Sequence, residues 1–470
     1  MDRPTSLVWL RNDLRLADNP ALAAACSSDT RVVALYIHET DEGVRTPGAA
    51  ARWWLHQSLQ SLAEALGKLG IPLLIETGMA GEVLDRIVRD EGVQSVHWNR
   101  RYAPGERAVD QAIKKHLANR GLAVASHMGN LLAEPWTVQT GQGNPYSVFT
   151  PFRKNLRNMH IDLPLPAPRR SGDSFKPKAV DDDYKRPHWA RKFDGKWSIG
   201  EAAAAEALAQ FLDAMLDDYP TGRDHPGQEG TSKLSPHLRH GEISPRQVWH
   251  ATLAHMHAER GSHEAGEKFL SELAWRDFNY HQLYHRDDIA TVPMQSKYAD
   301  MKWQDDPEGL AAWQEGRTGI PMVDAGMREL WQTGFMQNRV RMLTASLLVK
   351  NLLVDWRVGE RWFWDCLVDG DVANNPSNWQ WVAGSGLDAS PYFRIFNPVT
   401  QGERFDAAGD YVRRWVPELS ALPDKWIQDP AGAPADVLSK AGVTLDTNYP
   451  RPIVDLRLSR ERALDRQRQL

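Results

Sequence analysis

The chain has 470 residues, 42% of them hydrophobic and 25% charged, which fits an ordinary globular protein of two or three domains. No run of about 18 apolar residues occurs, which excludes a helical membrane span, and the two cysteines, Cys26 and Cys366, allow no disulfide framework and fit a cytoplasmic protein. The net charge of −5 speaks against a nucleic-acid partner unless a local basic patch sits on an acidic body.

The N-terminus, MDRPTSLVWLRND, has no secretory hydrophobic core and runs straight into a strand pattern. Residues 6–128 alternate strand and helix. The strand candidates are SLVWL (6–10), RVVALYI (31–37), PLLIE (72–76), SVHWN (95–99) and AVASH (123–127). The clearest helix runs from Ala49 to Leu69, with Leu55, Leu59, Leu62, Leu66 and Leu69 on one stripe. The pattern predicts an α/β domain over 1–130: a doubly wound, parallel five-stranded sheet of Rossmann or flavodoxin type. Ligands in such sheets sit beyond the carboxyl ends of the strands. The first strand is not followed by G-x-G-x-x-G. Arg11, Asp13, Arg15 and Asp18 read instead as a salt-bridged loop, with Asn19-Pro20 starting a helix.

Residues 131–200 read as an interdomain connector, rich in proline and charge beyond Ile161 and turning helical only near 144–157. From 201 to 470 the pattern is all-α. Glu201–Leu216 is an alanine-rich helix, and Ser244-Pro245 reads as an N-cap followed by proline at the first helical position. Thr231, Ser232 and Ser235 bring three hydroxyls to a helix start, which suits a pyrophosphate or plain capping. Glu272, Trp275 and Arg276 share one side of a helix by their spacing, as do Asn338, Arg341 and Met342. A long helix is expected from Asn338 through Leu348, and Asp369-Gly-Asp371 reads as a turn between helices. The 19 tryptophans point to a large helical core or to a role for indoles beyond packing.

NRVRM, DWRVGERWF, DGDVANN, NWQWVAG and PYFRIFNP keep their order and spacing within about sixty residues, a linkage more specific than any one motif. Together they resemble the DNA photolyase/cryptochrome family, closest to the class I photolyases of cyclobutane pyrimidine dimers. W-x-R-x-D-L-R-x-x-D-N at the start, Y-x-V-F-T-P-F at 146–152, T-S-x-L-S-P-x-L at 231–238 and GIPMVDA at 319–325 extend the likeness over nearly the whole chain.

The resemblance implies light-driven repair of DNA by a monomer that holds FAD in an all-α FAD-binding domain. It assigns Tyr219, Thr231, Ser232, Lys233, Leu234, Ser235, Glu272, Arg341, Asp369, Asp371 and Asn375 to FAD, with Arg341 pairing Asp369. It assigns Glu272, Trp275, Asn338, Met342 and Trp381 to the flipped dimer. Arg223, Arg276, Arg339 and Arg394 are assigned to DNA phosphates, and Trp303, Trp356 and Trp379 to an electron relay. Asn375 faces flavin N5 in the family, where an amide accepts a hydrogen bond and cannot ionise. With Glu272 and the relay it makes up the catalytic set. A second chromophore is implied for the N-terminal domain, either methenyltetrahydrofolate or 8-hydroxy-deazaflavin. Glu106 keeps the acid of the folate loop, whose amide is Gly105 here. No metal site is expected. A blue-light photoreceptor without repair activity is the rival within the family, and a tryptophan-rich helical scaffold the rival outside it.

Overall fold

The computed structural model describes residues 3–27, 29–169, 173–180, 187–258, 262–388 and 393–470. The chain forms two compact units. Met1–Asp217, Ser232–Asp287 and Val368–Ala373 make the first, and Asp218–Thr231, Asp288–Leu367 and Asn374–Leu470 the second.

The first unit is built on five parallel strands: β1 (Thr5–Leu10), β2 (Arg31–Glu39), β3 (Leu73–Gly78), β4 (Val93–Asn99) and β5 (Ala123–His127). Their order is β3-β2-β1-β4-β5. Helices α1 (Pro20–Cys26), α2 (Ala49–Lys68), α3 (Ala80–Asp90) and α4 (Pro104–Asn119) connect them. Alternation along the strands sorts side chains to two faces. Val8, Leu10, Ala34 and Tyr36 pack with Leu22 of α1 and Leu55, Leu59, Leu62 and Leu66 of α2. Leu7, Trp9, Leu35, Val96 and Trp98 pack with Leu84 and Ile87 of α3 and Leu117 of α4. Each such leucine, fully buried, contributes about 1.5–3 kcal/mol. The doubly wound sheet expected from the pattern is the one observed.

The strand order reverses between β1 and β4, the place where open sheets take ligands. Here ions fill it. Arg11 reaches Asp110 at 3.0 Å and the Asn99 carbonyl at 2.6 Å. Asn99 Nδ2 donates to Asp13 at 2.6 Å, and Arg101 pairs with both Glu39 and Asp110. This buried network stands where a glycine-rich turn would cradle a pyrophosphate, so the missing fingerprint has a structural reason.

Polar anchors fasten the segment Ser232–Asp287 to the sheet. Asp18, at φ +49°, accepts from Ser244 Oγ at 2.5 Å and from Arg246 at 2.7 Å. Arg15 donates to the Gly241 carbonyl at 3.0 Å, and Trp54 Nε1 to Glu242 at 3.1 Å. Buried charges persist only when partnered in this way. Ser244 is the N-cap that the sequence suggested, with Gln247 completing a capping box. Residues 232–287 and 368–373 therefore pack with the sheet, although their sequence pattern belongs to the helical region.

The second unit is helical around one apolar cluster that includes Trp313, Val340, Leu343, Leu348, Trp356, Phe363 and Trp379. Helices Pro321–Thr333 and Asn338–Ser346 cross closely at Gly326, where a Cβ would lie 2.3 Å from Val340. In GIPMVDA, Asp324 is fully buried and accepts from the backbone of Thr318 and Gly319 and from Tyr449 Oη at 2.8 Å. The single long helix expected from Asn338 is corrected. Its α-helical part stops at Ser346, and Leu347–Asn351 form one π-helical turn. The wider turn keeps Leu347 and Leu348 inside and brings Lys350 in as well, where Nζ donates to the Ala383 carbonyl at 2.7 Å.

Candidate functional site

In the first unit the helix His263–His285 carries a local exception to its burial. Between Phe269 and Leu283 every residue is buried except Glu272, Trp275 and Arg276. Their i, i+3, i+4 spacing puts an acid, an indole and a guanidinium on one stripe. Glu272 pairs with Lys268 at 3.1 Å, and Arg276 donates to the Asn130 carbonyl at 2.6 Å. Trp275 stacks face to face on Phe149, with centroids 3.7 Å apart and planes 10° apart.

The turn Asp369-Gly370-Asp371 is pinned to two helices of the same unit. Ser235 Oγ donates to Asp369 at 2.6 Å, and Arg239 Nε to the Gly370 carbonyl at 2.6 Å. Tyr280 Oη donates to Asp371 at 2.5 Å. Burial, with the Asp371 charge behind it, holds the Tyr280 phenol well above its ordinary pKa, so it stays a donor. The hydroxyls do not cluster as a helix cap. The helix Ser235–His240 begins with Leu234 at the cap position, and the Ser235 hydroxyl turns to Asp369. Lys233 stands at φ +50°, a left-handed conformation that costs a non-glycine residue about 1–3 kcal/mol. Thr231 and Tyr219 belong to the second unit.

In the second unit Asn375 donates both protons of its amide to one residue. Nδ2 lies 3.0 Å from the Glu360 carbonyl and 2.8 Å from Glu360 Oε1. Oδ1 is thereby left as the acceptor of a side chain only 8% exposed. Trp379 is buried against Gly359, where a Cβ would meet its ring at 2.2 Å, and makes edge contacts with Phe363 at 4.9 Å and Trp313 at 6.2 Å. Trp356 and Trp379 lie in one apolar cluster with Trp303 packed against it, and no ring contact pairs any two of the three among the described residues. Between Trp379 and the half-buried Trp381, Gln380 is fully buried. It bonds Met294 N, the Ile289 carbonyl and the Val292 carbonyl.

Asn338 is exposed at the start of its helix, with Nδ2 3.8 Å from Met342 Sδ. Arg341 Nε donates to the Met336 carbonyl at 2.6 Å. Gln337 caps this helix and also donates to the Arg223 carbonyl, so it ties the Tyr219–Arg223 stretch to the helix start. Arg339 pairs with Asp224 at 2.7 Å and, with Arg394 and Arg404, lines an open groove of about 460 Å³. Asn397, Thr400 and Gln401 add polar groups to it. Asp224 lines it too, so the groove carries three arginines and one acid. Pro391 and Tyr392 of the PYFR motif lie outside the described residues.

Glu106 lines a recess in the first unit with Arg11, Glu39, Arg101 and Arg239. Its Oε2 accepts from Ala103 N, and burial raises its pKa. The recess measures about 50 Å³, room for a few water molecules.

Residues 6–169 match the family of DNA photolyases, and residues 269–469 the FAD binding domain of DNA photolyase. The chain belongs to the DNA photolyase family. It is similar to the deoxyribodipyrimidine photo-lyase of Agrobacterium fabrum, 47% identical over 97% of this chain and 96% of that one. The Escherichia coli enzyme of the same name is 42% identical over 98% of each chain. Cryptochrome-1 of Arabidopsis thaliana is 38% identical over 96% of this chain and 68% of the relative. Among solved structures, a bacterial class III photolyase from Agrobacterium tumefaciens superposes with a TM-score of 0.95 at 45% identity, covering 100% of this chain and 98% of the other. A Synechocystis cryptochrome gives 0.89 at 32% identity, covering 99% of each.

Within this photolyase fold, several residues that arrange the site escaped the sequence reading. Glu360, Gln337 and Gly359 act through partners set by packing, although all three stand inside or beside quoted motifs. Arg404 stands one turn from Gln401 on the helix Pro398–Phe405, and only the groove reveals it. Among the described residues no helix is long and apolar enough to cross a membrane, and no cluster of three His, Cys, Asp or Glu could hold a metal ion.

Proposed function

We propose that the chain is a flavin enzyme that opens cyclobutane pyrimidine dimers in DNA under blue or near-ultraviolet light. The observation that carries this reading is the Asn375 amide. Glu360 takes both of its protons, so the atom it offers is an acceptor that can neither ionise nor hand over a proton. That donor and acceptor set fits FAD. An amide oxygen suits flavin N5–H, Asp369 and Asp371 with Arg341 suit the ribityl and ring region, and the Thr231–Ser235 loop with Tyr219 suits the phosphates. Bound there in its reduced form, FAD supplies on excitation the electron that opens the cyclobutane ring, chemistry that no side chain can provide.

The remaining residues receive the lesion. Photolyases as a class flip their target out of the duplex at a cost of a few kcal/mol, less at damaged sites. Stacking on Trp275 and Trp381 returns about 1–3 kcal/mol per base. Glu272 and Asn338 bond base edges, and Met342 stands beside Asn338. Arg223, Arg276, Arg339 and Arg394 hold phosphates, with Arg404 joining them, since guanidinium matches phosphate in pairs of bonds. Trp303, Trp356 and Trp379, which share one apolar cluster, would supply electrons to FAD were it left oxidised. The likeness to a class III photolyase over the full chain favours that branch over class I, which the motifs alone suggested. A second chromophore, methenyltetrahydrofolate or 8-hydroxy-deazaflavin, would be held by the first unit and would pass light energy on to FAD.

A photoreceptor without repair activity is the second reading, favoured by the cryptochrome relatives in Arabidopsis and Synechocystis. One experiment separates the two. The FAD-loaded chain, reduced and illuminated with an oligonucleotide bearing a thymine dimer, is expected to restore the two thymines, and the dark control to leave them joined. Dimers that survive illumination while FAD is bound and reduced overturn the repair reading.

A further inference from the structure

We propose that Phe149 is a positioning residue that fixes the indole of Trp275 as a one-sided stacking surface, and so sets the preference for damaged over undamaged DNA. This rests on the repair reading above. The two rings are parallel within 10° at 3.7 Å, so Phe149 covers one whole face of the indole. Phe278 meets the same indole edge-on, at 5.7 Å and 73°, and fixes its rotation. No other ring touches Trp275 among the described residues. The indole is partly exposed, and it holds its plane before any base arrives.

Phe149 shares in docking its own helix, meeting Phe278 at 5.8 Å, but it does not do so alone. Phe149–Asn158 packs on His263–His285 through Phe152, against Phe278 at 5.1 Å and His281 at 5.2 Å, and through the fully buried Leu156. Arg153 and Arg157 add ion pairs to Glu267 at 3.2 and 2.9 Å. One turn earlier, Phe149 adds the stacked contact with the indole. It follows Val148, which is 43% exposed, yet is itself only 7% exposed, close against the indole. An indole standing alone would lose rotamer freedom each time a base stacked on it, whereas one already held by a neighbour has lost it on folding. Only a flipped base reaches this surface, while phosphate contacts are common to any strand. Losing Phe149 therefore weakens lesion binding selectively.

The test uses the full FAD-loaded chain in the dark with two duplex oligonucleotides, alike except for a thymine dimer in one strand of the first. Phe149→Leu is expected to weaken binding of the dimer duplex about three- to ten-fold, the range of one aromatic pair, and to change the dimer-free duplex less than about two-fold. Phe149→Tyr restores wild-type affinity. Repair per photon at saturating DNA is unchanged in Phe149→Leu, so the loss appears in KM and not in kcat. On a Trp275→Ala background Phe149→Leu has no further effect. Flavin absorbance and the unfolding temperature check the fold, and Phe149→Met carries the same test if the leucine variant does not fold. Unchanged dimer affinity, an equal loss on both duplexes, or an undiminished effect without Trp275 overturns the proposal. A wild-type chain that binds both duplexes alike overturns the repair reading itself, and this one with it.

Discussion

Asn375 and Glu360 form a two-point clamp: one amide nitrogen donates to both the backbone and the side-chain oxygen of a residue fifteen positions earlier. The clamp decides which end of the amide faces outward. Glu360→Ala removes one of the two acceptors and frees the amide to turn. A buried donor left unsatisfied costs about 1–3 kcal/mol, so repair per photon is expected to fall on the order of tenfold. Glu360→Gln keeps an acceptor and is expected to keep most of the activity. Photorepair at saturating DNA, set beside dark binding that stays at the wild-type level, checks both.

Gly359 is the next residue to change. A Cβ there would stand 2.2 Å from Trp379 Cη2 and 2.7 Å from Leu348 Cδ2. Neither atom can retreat in a filled core. Gly359→Ala is expected to destabilise the second unit by about 1–3 kcal/mol. Thermal unfolding followed by tryptophan emission measures it, and an unchanged unfolding temperature would mean that the Trp379 ring moves at no cost.

The groove lined by Arg339, Arg394 and Arg404 makes a prediction about salt. Arg394→Ala and Arg404→Ala are each expected to weaken damaged and undamaged strands equally. Each should also reduce the slope of log affinity against log salt by about 0.7 on single strands. Titrations at three salt concentrations are enough. A variant that weakens only the damaged strand would remove that arginine from the phosphate set.

Asp277 predicts a pH dependence of stability. Burial raises its carboxyl from 3.8 to about 7, against the helping bonds from Leu132 N and Ala133 N. Between these two values the folded chain holds a proton that the unfolded chain has released. Stability from this group is therefore full below about pH 4, falls by about 1.4 kcal/mol per pH unit, and levels off above about pH 7. Asp277→Asn has no such proton. Its stability relative to wild type should rise from pH 5 to pH 8 by a few kcal/mol, as read by urea unfolding. A constant difference would mean that the carboxyl titrates normally.

The strands and the helix α2 were legible because each buries one regular face, and periodicity reports that directly. The stripe of Glu272, Trp275 and Arg276 was legible for the opposite reason: three polar or amphipathic groups interrupt a buried helix at helical spacing. Glu360 was not legible. In VGERWF it looks like any charged residue on a helix surface, and its partner is fixed only when two helices pack. The π-helical turn was hidden because one extra residue shifts the register without altering which leucines are apolar. Asp18 and Arg246 stand 228 positions apart, and no local pattern records a pair of that kind.

The first unit is closed by segments far along the chain. The sheet completes its own pairing at His127, yet its polar anchors wait for Ser244 and Arg246, and its last segment ends at Ala373. During synthesis, then, the strands leave the ribosome long before the pieces that seal them. The nascent sheet must wait through about 120 residues of translation before Ser244 and Arg246 reach Asp18, a delay that favours chaperone capture over early, independent closure.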